Sequence, residues 1–128
     1  MISELGIDLV EVARIRSAIE RRGDRFLDRV FRPAERSYCD GRPKRFEHYA
    51  VRFAAKEAVL KVLRTGWSSG LGFKDVEVTR DPSGVPAARL SANAEAWAKK
   101  RGITRVTVSL SHSGPFAVAC AVGVGTAG

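Results

Sequence analysis

Residues 52–61, Arg-Phe-Ala-Ala-Lys-Glu-Ala-Val-Leu-Lys, constrain this chain more than any other stretch. No glycine or proline interrupts them, and alanine and straight-chain residues dominate. They predict the middle of one long helix that opens after Pro43, runs to about Arg64 and stops at Gly66. Glu57 and Lys61 stand four residues apart and therefore share a helix face with the apolar Ala50, Phe53 and Ala54. A charged pair against an apolar stripe is either a surface salt bridge at the stripe's edge or part of a site for a charged ligand. The stretch itself leaves both readings open.

The chain has 128 residues, 45% of them hydrophobic, which is enough apolar material for one core and one domain. A deep cleft is hard to build from so small a domain, so a site shared between subunits is a live alternative. Lysine and arginine number 22 against 14 acidic residues, a formal charge of +8. That excess calls for a polyanionic partner: nucleic acid, an acidic protein, a membrane surface or a phosphorylated small molecule. Aromatic content is 8%, and no stacking tract interrupts the basic residues, which weakens the case for nucleic acid. The N-terminal residues have no signal-peptide pattern, and no apolar run reaches the ~18 residues of a membrane span, so a cytoplasmic protein is expected. Cys39 and Cys120 lack metal-ligand spacing, and the apolar run at 117–122 predicts that Cys120 is a buried thiol.

Segment 5–10 alternates Leu5, Ile7 and Leu9 with Gly6, Asp8 and Val10, which predicts a short strand. Val12, Ile15 and Ile19 predict a helix over 12–22, closed by Gly23. Asp24 opens a short helix through Phe31, and Pro33 opens another that ends near Gly41. Beyond the long helix lie a glycine-rich loop at 65–72, a strand at 73–79, a turn at 81–84 and a strand at 87–90. Ser91 caps a helix over 92–101. Strands at 106–110 and 116–122 flank Ser111-His-Ser-Gly-Pro115, and 123–128 form a frayed tail. The order predicts an α+β fold over 1–122, with a mainly antiparallel sheet packed against one long helix and several shorter ones.

Four features could carry chemistry. Asp8 sits mid-strand among apolar neighbours, either on a wet edge or as a ligand for a hard cation such as Mg²⁺, which takes one or two carboxylates beside phosphate oxygens. His112 lies in a Ser/Gly turn that is either a plain turn or a phosphate-binding loop, with no nucleophile elbow or triad beside it. The glycine loop is neither a Walker A nor a dinucleotide fingerprint. Around the long helix, Arg42, Lys44, Arg45, Arg52, Lys56, Lys61 and Arg64 face only Glu47 and Glu57, which suits a ligand with several phosphates.

In this order, these pieces resemble the small holo-acyl-carrier-protein synthases, the short-chain 4′-phosphopantetheinyl transferases. The matching residues are Gly6-Ile-Asp8, Arg52-Phe-Ala-Ala-Lys-Glu57-Ala-x-x-Lys61, Asp75-Val-Glu-Val78, Gly84-x-Pro86 and Ser109-Leu-Ser-His112-Ser. The segment at 26–35 and Arg14 are also similar to the family's N-terminal region, so the resemblance spans roughly 5–122. One departure is Arg64, where family members commonly carry glycine.

The resemblance implies transfer of phosphopantetheine from coenzyme A to a serine of apo-acyl carrier protein, releasing adenosine 3′,5′-bisphosphate and supporting fatty acid biosynthesis. It implies that Asp8 and Glu57 hold Mg²⁺ at the pyrophosphate, with Glu57 and Lys61 catalytic. The base is left open between Glu57 and a water on the metal. Coenzyme contacts are implied for Arg52, Lys56, Lys61, Thr65, Gly66, Pro86, His112 and Ser113. Arg14, Arg21 and Arg25 are implied to face the acidic carrier protein. The family's trimers imply a homotrimer in which His112 reaches the coenzyme from one protomer while Asp8, Glu57 and Lys61 come from its neighbour. The competing reading from charge alone is a small basic nucleic-acid-binding domain without catalysis. It accounts for the +8 but not for Asp8, Glu57 and Lys61 together.

Overall fold

Small residues bring a helix and a sheet unusually close in this molecule. The computed structural model describes residues 1–65 and 69–125. Strand β1 (Ile2–Glu11) leads into helices α1 (Val12–Arg22), α2 (Asp24–Val30), α3 (Pro33–Asp40) and α4 (Arg45–Val62). A 3-10 turn at Phe73–Asp75 precedes β2 (Val76–Arg80) and β3 (Pro86–Leu90). Helix α5 (Ala92–Lys100), β4 (Ile103–Ser113) and β5 (Phe116–Gly125) complete the order. The strands form two antiparallel sheets, β1-β5-β4 and β2-β3. The expected α+β class with antiparallel sheets and one long helix is what the chain adopts.

Helix α4 lies across the inner face of the larger sheet. Ala54, Ala55 and Ala58 of the helix and Ala117, Ala119 and Ala121 of β5 are buried at this seam. Gly6 marks its closest approach: a Cβ there would stand 2.4 Å from the Ala58 carbonyl oxygen and 3.2 Å from Val62. Only a residue without a side chain fits against that backbone. At Gly123, a Cβ would meet Val62 at 2.7 Å.

The second organising contact is polar. Glu35 of α3 and Lys56 of α4 are both fully buried and paired at 2.8 Å. Lys56 Nζ also donates to the carbonyls of Phe73 and Val76. The Glu35 carboxylate accepts from the backbone N–H groups of Arg32 and Val78, each at 2.8 Å. One ion pair therefore ties α3, α4, the 3-10 turn and β2 together, with its donors and acceptors met as burial demands. Burial pushes the Lys56 ammonium below its usual range, and Glu35 works against that shift.

Several boundaries differ from the sequence expectation. β1 and β4 are longer than the alternation marked, because backbone pairing with β5 continues past the patterned residues. β5 continues to Gly125, opposite Ile103. Positions 123–125 are therefore sheet rather than frayed tail. The stretch at 73–75 is a 3-10 turn instead of strand, because Asp75 accepts from the Gly72 N–H and the Ser91 hydroxyl. Cys120 is half-buried, while Cys39 is the fully enclosed thiol, pushed by burial up to about 12.

In β1 the larger apolar residues lie on the outer face. Gly6, Asp8 and Val10 turn toward α4, leaving Leu5, Ile7 and Leu9 66%, 62% and 63% exposed. A period of two shows that the faces differ but not which one receives the helix. We expect Gly6→Ala to destabilise the fold by about 1–3 kcal/mol, the usual cost of overpacking. Urea unfolding would check this; a variant as stable as the wild type would contradict the close-approach argument.

Candidate active site

Asp8 shares the inward face of β1 with Gly6, so the approach that fixes Gly6 at Ala58 also delivers Asp8 to the next turn of α4. Lys61 Nζ donates to Asp8 Oδ1 at 3.1 Å and to the Ile7 carbonyl at 2.9 Å. Lys61 therefore bridges to the strand instead of folding back on Glu57, and the simple helix salt bridge is not what forms. Glu57 makes no hydrogen bond or ion pair among the described residues. Its carboxyl is raised above the usual value, first by burial and then by the Asp8 charge, with Lys61 pulling it back. Two carboxylates and one lysine thus share a small, half-buried space. One carboxylate has no hydrogen bond and the other only a lysine, an oxygen donor set that fits one hard divalent cation.

The end of α4 is built beside this cluster. Arg64 N–H bonds to the Lys61 carbonyl at 3.0 Å, and Thr65 N–H bonds to the Leu60 carbonyl at 3.2 Å. This is a Schellman ending with Arg64 at the left-handed position, φ 53. Glycine suits that conformation, which explains physically why Arg64 stands out in the sequence. Its side chain pairs with Glu4 at 2.9 Å. Thr65 also turns its hydroxyl back to Leu60. Gly66 lies outside the described residues.

A second cluster occupies the other end of α4. His112 Nδ1 lies 3.3 Å from Glu47 Oε2. A cavity of about 300 Å³ opens beside it, lined by His48, Val51, Arg80, Leu110, Ser111 and His112. Behind it, the guanidinium groups of Arg52, Arg42 and Arg80 gather on the Tyr38 ring at 4.2, 4.3 and 5.5 Å from its centroid. His48 is lowered below the usual histidine value by burial, then by Arg52, His112, Arg80 and Arg42. This concentration of cations is suited to an anion. Pro86 pairs with Arg80 across the β2–β3 hairpin, and Ser113 ends β4 opposite Phe116.

Two residues expected at the coenzyme are enclosed in the single chain. Lys56 is fully buried in its pair with Glu35 and has no open surface from which to reach a ligand. Arg52 is 1% exposed and sits one layer behind the cavity wall, donating to the His48 carbonyl, with its buried Nε unpartnered. A charged side chain in a helix gives no sign of whether it faces water, and here both point inward. Arg14, Arg21 and Arg25 are exposed on α1 and α2. Sequence reasoning missed Tyr38 and Arg80 as members of the cationic cluster, because they come from α3 and β2 and share no local spacing with His112. Glu47 was counted only as a counter-charge.

The two clusters do not meet within one chain. His48 and Glu57 are nine positions apart on α4, about 13 Å of helix rise. On the sheet, His112 stands two strands from Asp8 and two residues further along, about 10 Å across and about 7 Å along. A larger cavity of about 850 Å³ lies between β3, α5 and β4 and holds none of the expected site residues.

Comparison with known proteins matches this arrangement to a family. Residues 4–121 match the 4′-phosphopantetheinyl transferase superfamily, and the chain belongs to that superfamily. It is similar to a holo-[acyl-carrier-protein] synthase of Desulforudis audaxviator, 54% identical over 125 residues, covering 98% of this chain and 95% of that protein. The corresponding protein of Halothermothrix orenii is 45% identical over 123 residues, with 96% and 98% covered. Among solved structures, the synthase from Neisseria meningitidis superposes with a TM-score of 0.88 at 30% identity, covering 97% of this chain and 99% of that one. The Helicobacter pylori synthase in complex with coenzyme A gives 0.83 at 32% identity, with 94% and 99% covered.

Two measurements check the site. The folded state holds the Glu57 proton more tightly than the unfolded chain. Its contribution to stability is full below the ordinary glutamate range and is lost as pH rises through the raised folded value. Metal-free thermal melts should show that loss in the wild type and not in Glu57→Gln, which melts at or above the wild type at neutral pH. At the helix end, Arg64→Val should be less stable than Arg64→Gly by about 1–2 kcal/mol, the cost of a side chain in the left-handed region. Equal unfolding midpoints in urea would contradict it.

Proposed function

We propose that this protein transfers the 4′-phosphopantetheine group from coenzyme A to a serine of apo-acyl carrier protein, releasing adenosine 3′,5′-bisphosphate in support of fatty acid biosynthesis. The observation that carries the reading is the convergence of Asp8, Glu57 and Lys61 in one half-buried space, in a chain whose relatives are holo-[acyl-carrier-protein] synthases. The solved relative with coenzyme A supports coenzyme A as the substrate.

Asp8 and Glu57 would hold Mg²⁺, which when bound supplies charge neutralisation at the coenzyme pyrophosphate. Lys61 keeps its ammonium at Asp8 and faces the same phosphates, balancing the negative charge that builds on the leaving bisphosphate. His112, with Arg80 and His48 around it, binds the nucleotide phosphates. Thr65 and Pro86 flank the coenzyme, and Ser113 adds a hydroxyl beside His112. The nucleophile is the serine of the carrier protein, so no nucleophilic triad is required of this chain. Arg14, Arg21 and Arg25 form an exposed basic surface for the acidic carrier, which makes docking salt-sensitive.

The assembly is a homotrimer with each site built by two neighbouring protomers. Two features support this. The carboxylate cluster and the His112 cluster stand at opposite ends of α4, and the outer face of β1 presents Leu5, Ile7 and Leu9 beside the 44%-exposed Phe116. An apolar face of this kind favours cover by a partner. No helix among the described residues is long and apolar enough to cross a membrane, and the enzyme acts in the cytoplasm.

The test is incubation with coenzyme A, Mg²⁺ and apo-carrier protein, read by mass spectrometry. The carrier should gain one phosphopantetheine, and EDTA or Glu57→Gln should abolish the gain in a folded protein. Mixed trimers of the inactive His112→Ala and Asp8→Ala proteins should recover part of the activity. Absence of any mass gain with every carrier tried would refute the assignment.

A further inference from the structure

Glu47 lies in the first turn of α4, one residue before His48. Its Oε2 engages His112 Nδ1 at 3.3 Å, which leaves Nε2 as the ring nitrogen open to a ligand. The other groups around this ring are cationic or neutral. His48 stands 6.4 Å away from α4, Arg80 comes from β2, and Leu110 and Ser111 belong to β4. Arg42 and Arg52 are gathered on Tyr38 behind His48. In such a field a second cation is disfavoured, as the lowering of His48 by burial and these same neighbours shows. Glu47 is the only carboxylate in ion-pair contact with His112 among the described residues.

In the single chain the pair is too exposed to be explained by folding stability. The side chains of His112 and Glu47 retain 43% and 26% of their accessible surface, and ion pairs in such settings add little to folding. A ring held in one orientation has value chiefly where it must face a ligand. We propose that Glu47 is a positioning residue for His112: its carboxylate holds the Nδ1 edge of the ring, so that Nε2 is turned toward a phosphate of coenzyme A. The proposal rests on the reading that this cavity holds the coenzyme.

The test compares the wild type with Glu47→Gln, Glu47→Ala and His112→Ala. Three readouts are used: KM and kcat for coenzyme A, binding of adenosine 3′,5′-bisphosphate by calorimetry, and the ring ¹⁵N spectrum of His112. Glu47→Gln keeps a hydrogen-bond acceptor but loses the charge. Its KM should rise by about tenfold, the size of one charge-assisted bond. The kcat at saturating coenzyme should be unchanged. The ring ¹⁵N signals of His112 should shift as the carboxylate at its Nδ1 edge is replaced. In the His112→Ala background, Glu47→Gln should add no further loss of bisphosphate binding. A Glu47→Gln protein with wild-type KM but a lower melting temperature would make Glu47 a structural brace and overturn the proposal. If the wild type itself neither binds the bisphosphate nor transfers, the functional reading fails, while the ring spectrum still judges the Glu47–His112 contact.

Discussion

The approach of α4 to the inner face of the three-stranded sheet is the constraint on which the rest of the molecule depends. It is possible because Gly6 and Gly123 offer no side chain and because alanines meet alanines along the seam. Dispersion and apolar burial both grow as the layers close, so small residues gain here through proximity rather than bulk. The same closeness has a chemical result. A strand held against a helix at Gly6 must present its next inward residue, Asp8, to the turn that carries Glu57 and Lys61. Fold and site therefore arise from one contact.

Helix α4 illustrates how one element distributes its charges among different tasks. Lys56 is a core residue whose ammonium closes a buried network between α3, α4 and β2. Glu57, its immediate neighbour, turns to the half-buried carboxylate site. Lys61 leaves the helix surface for Asp8, and Arg52 stacks on Tyr38 behind the cationic cavity. Lys56 and Glu57 are adjacent in sequence but about 100° apart around the helix, enough to separate a fully buried charge from one at the half-buried site. Breaking the buried pair would leave an uncompensated charge in the core, a more severe defect than losing a surface bridge.

The two clusters at opposite ends of α4 differ in electrostatic design. At one end, two carboxylates share a space with one lysine, a set suited to a divalent cation. At the other, arginines and histidines crowd around Tyr38 and Glu47, a field suited to phosphate. A ligand carrying both a metal-binding pyrophosphate and a further phosphate suits this division. The outer face of β1 stays apolar and exposed in the single chain, a surface that favours cover by a partner.

Much of this was legible in the residues. The long helix, the helix over 12–22, the Ser91 cap and the antiparallel pair around Ser111–Pro115 follow from periodicity and turn chemistry, which act over a few neighbouring positions. The resemblance of Gly6-Ile-Asp8 and the Arg52–Lys61 run to a known family singled out Asp8, Glu57 and Lys61, and the fold placed them together. What remained hidden depends on contacts between distant segments. No local pattern states that Lys56 faces inward to Glu35, that Leu5, Ile7 and Leu9 face outward, or that Tyr38, Arg80 and Glu47 gather at His112. Side-chain period fixes which residues share a face; only packing of the whole chain decides which face is buried and which charges find each other.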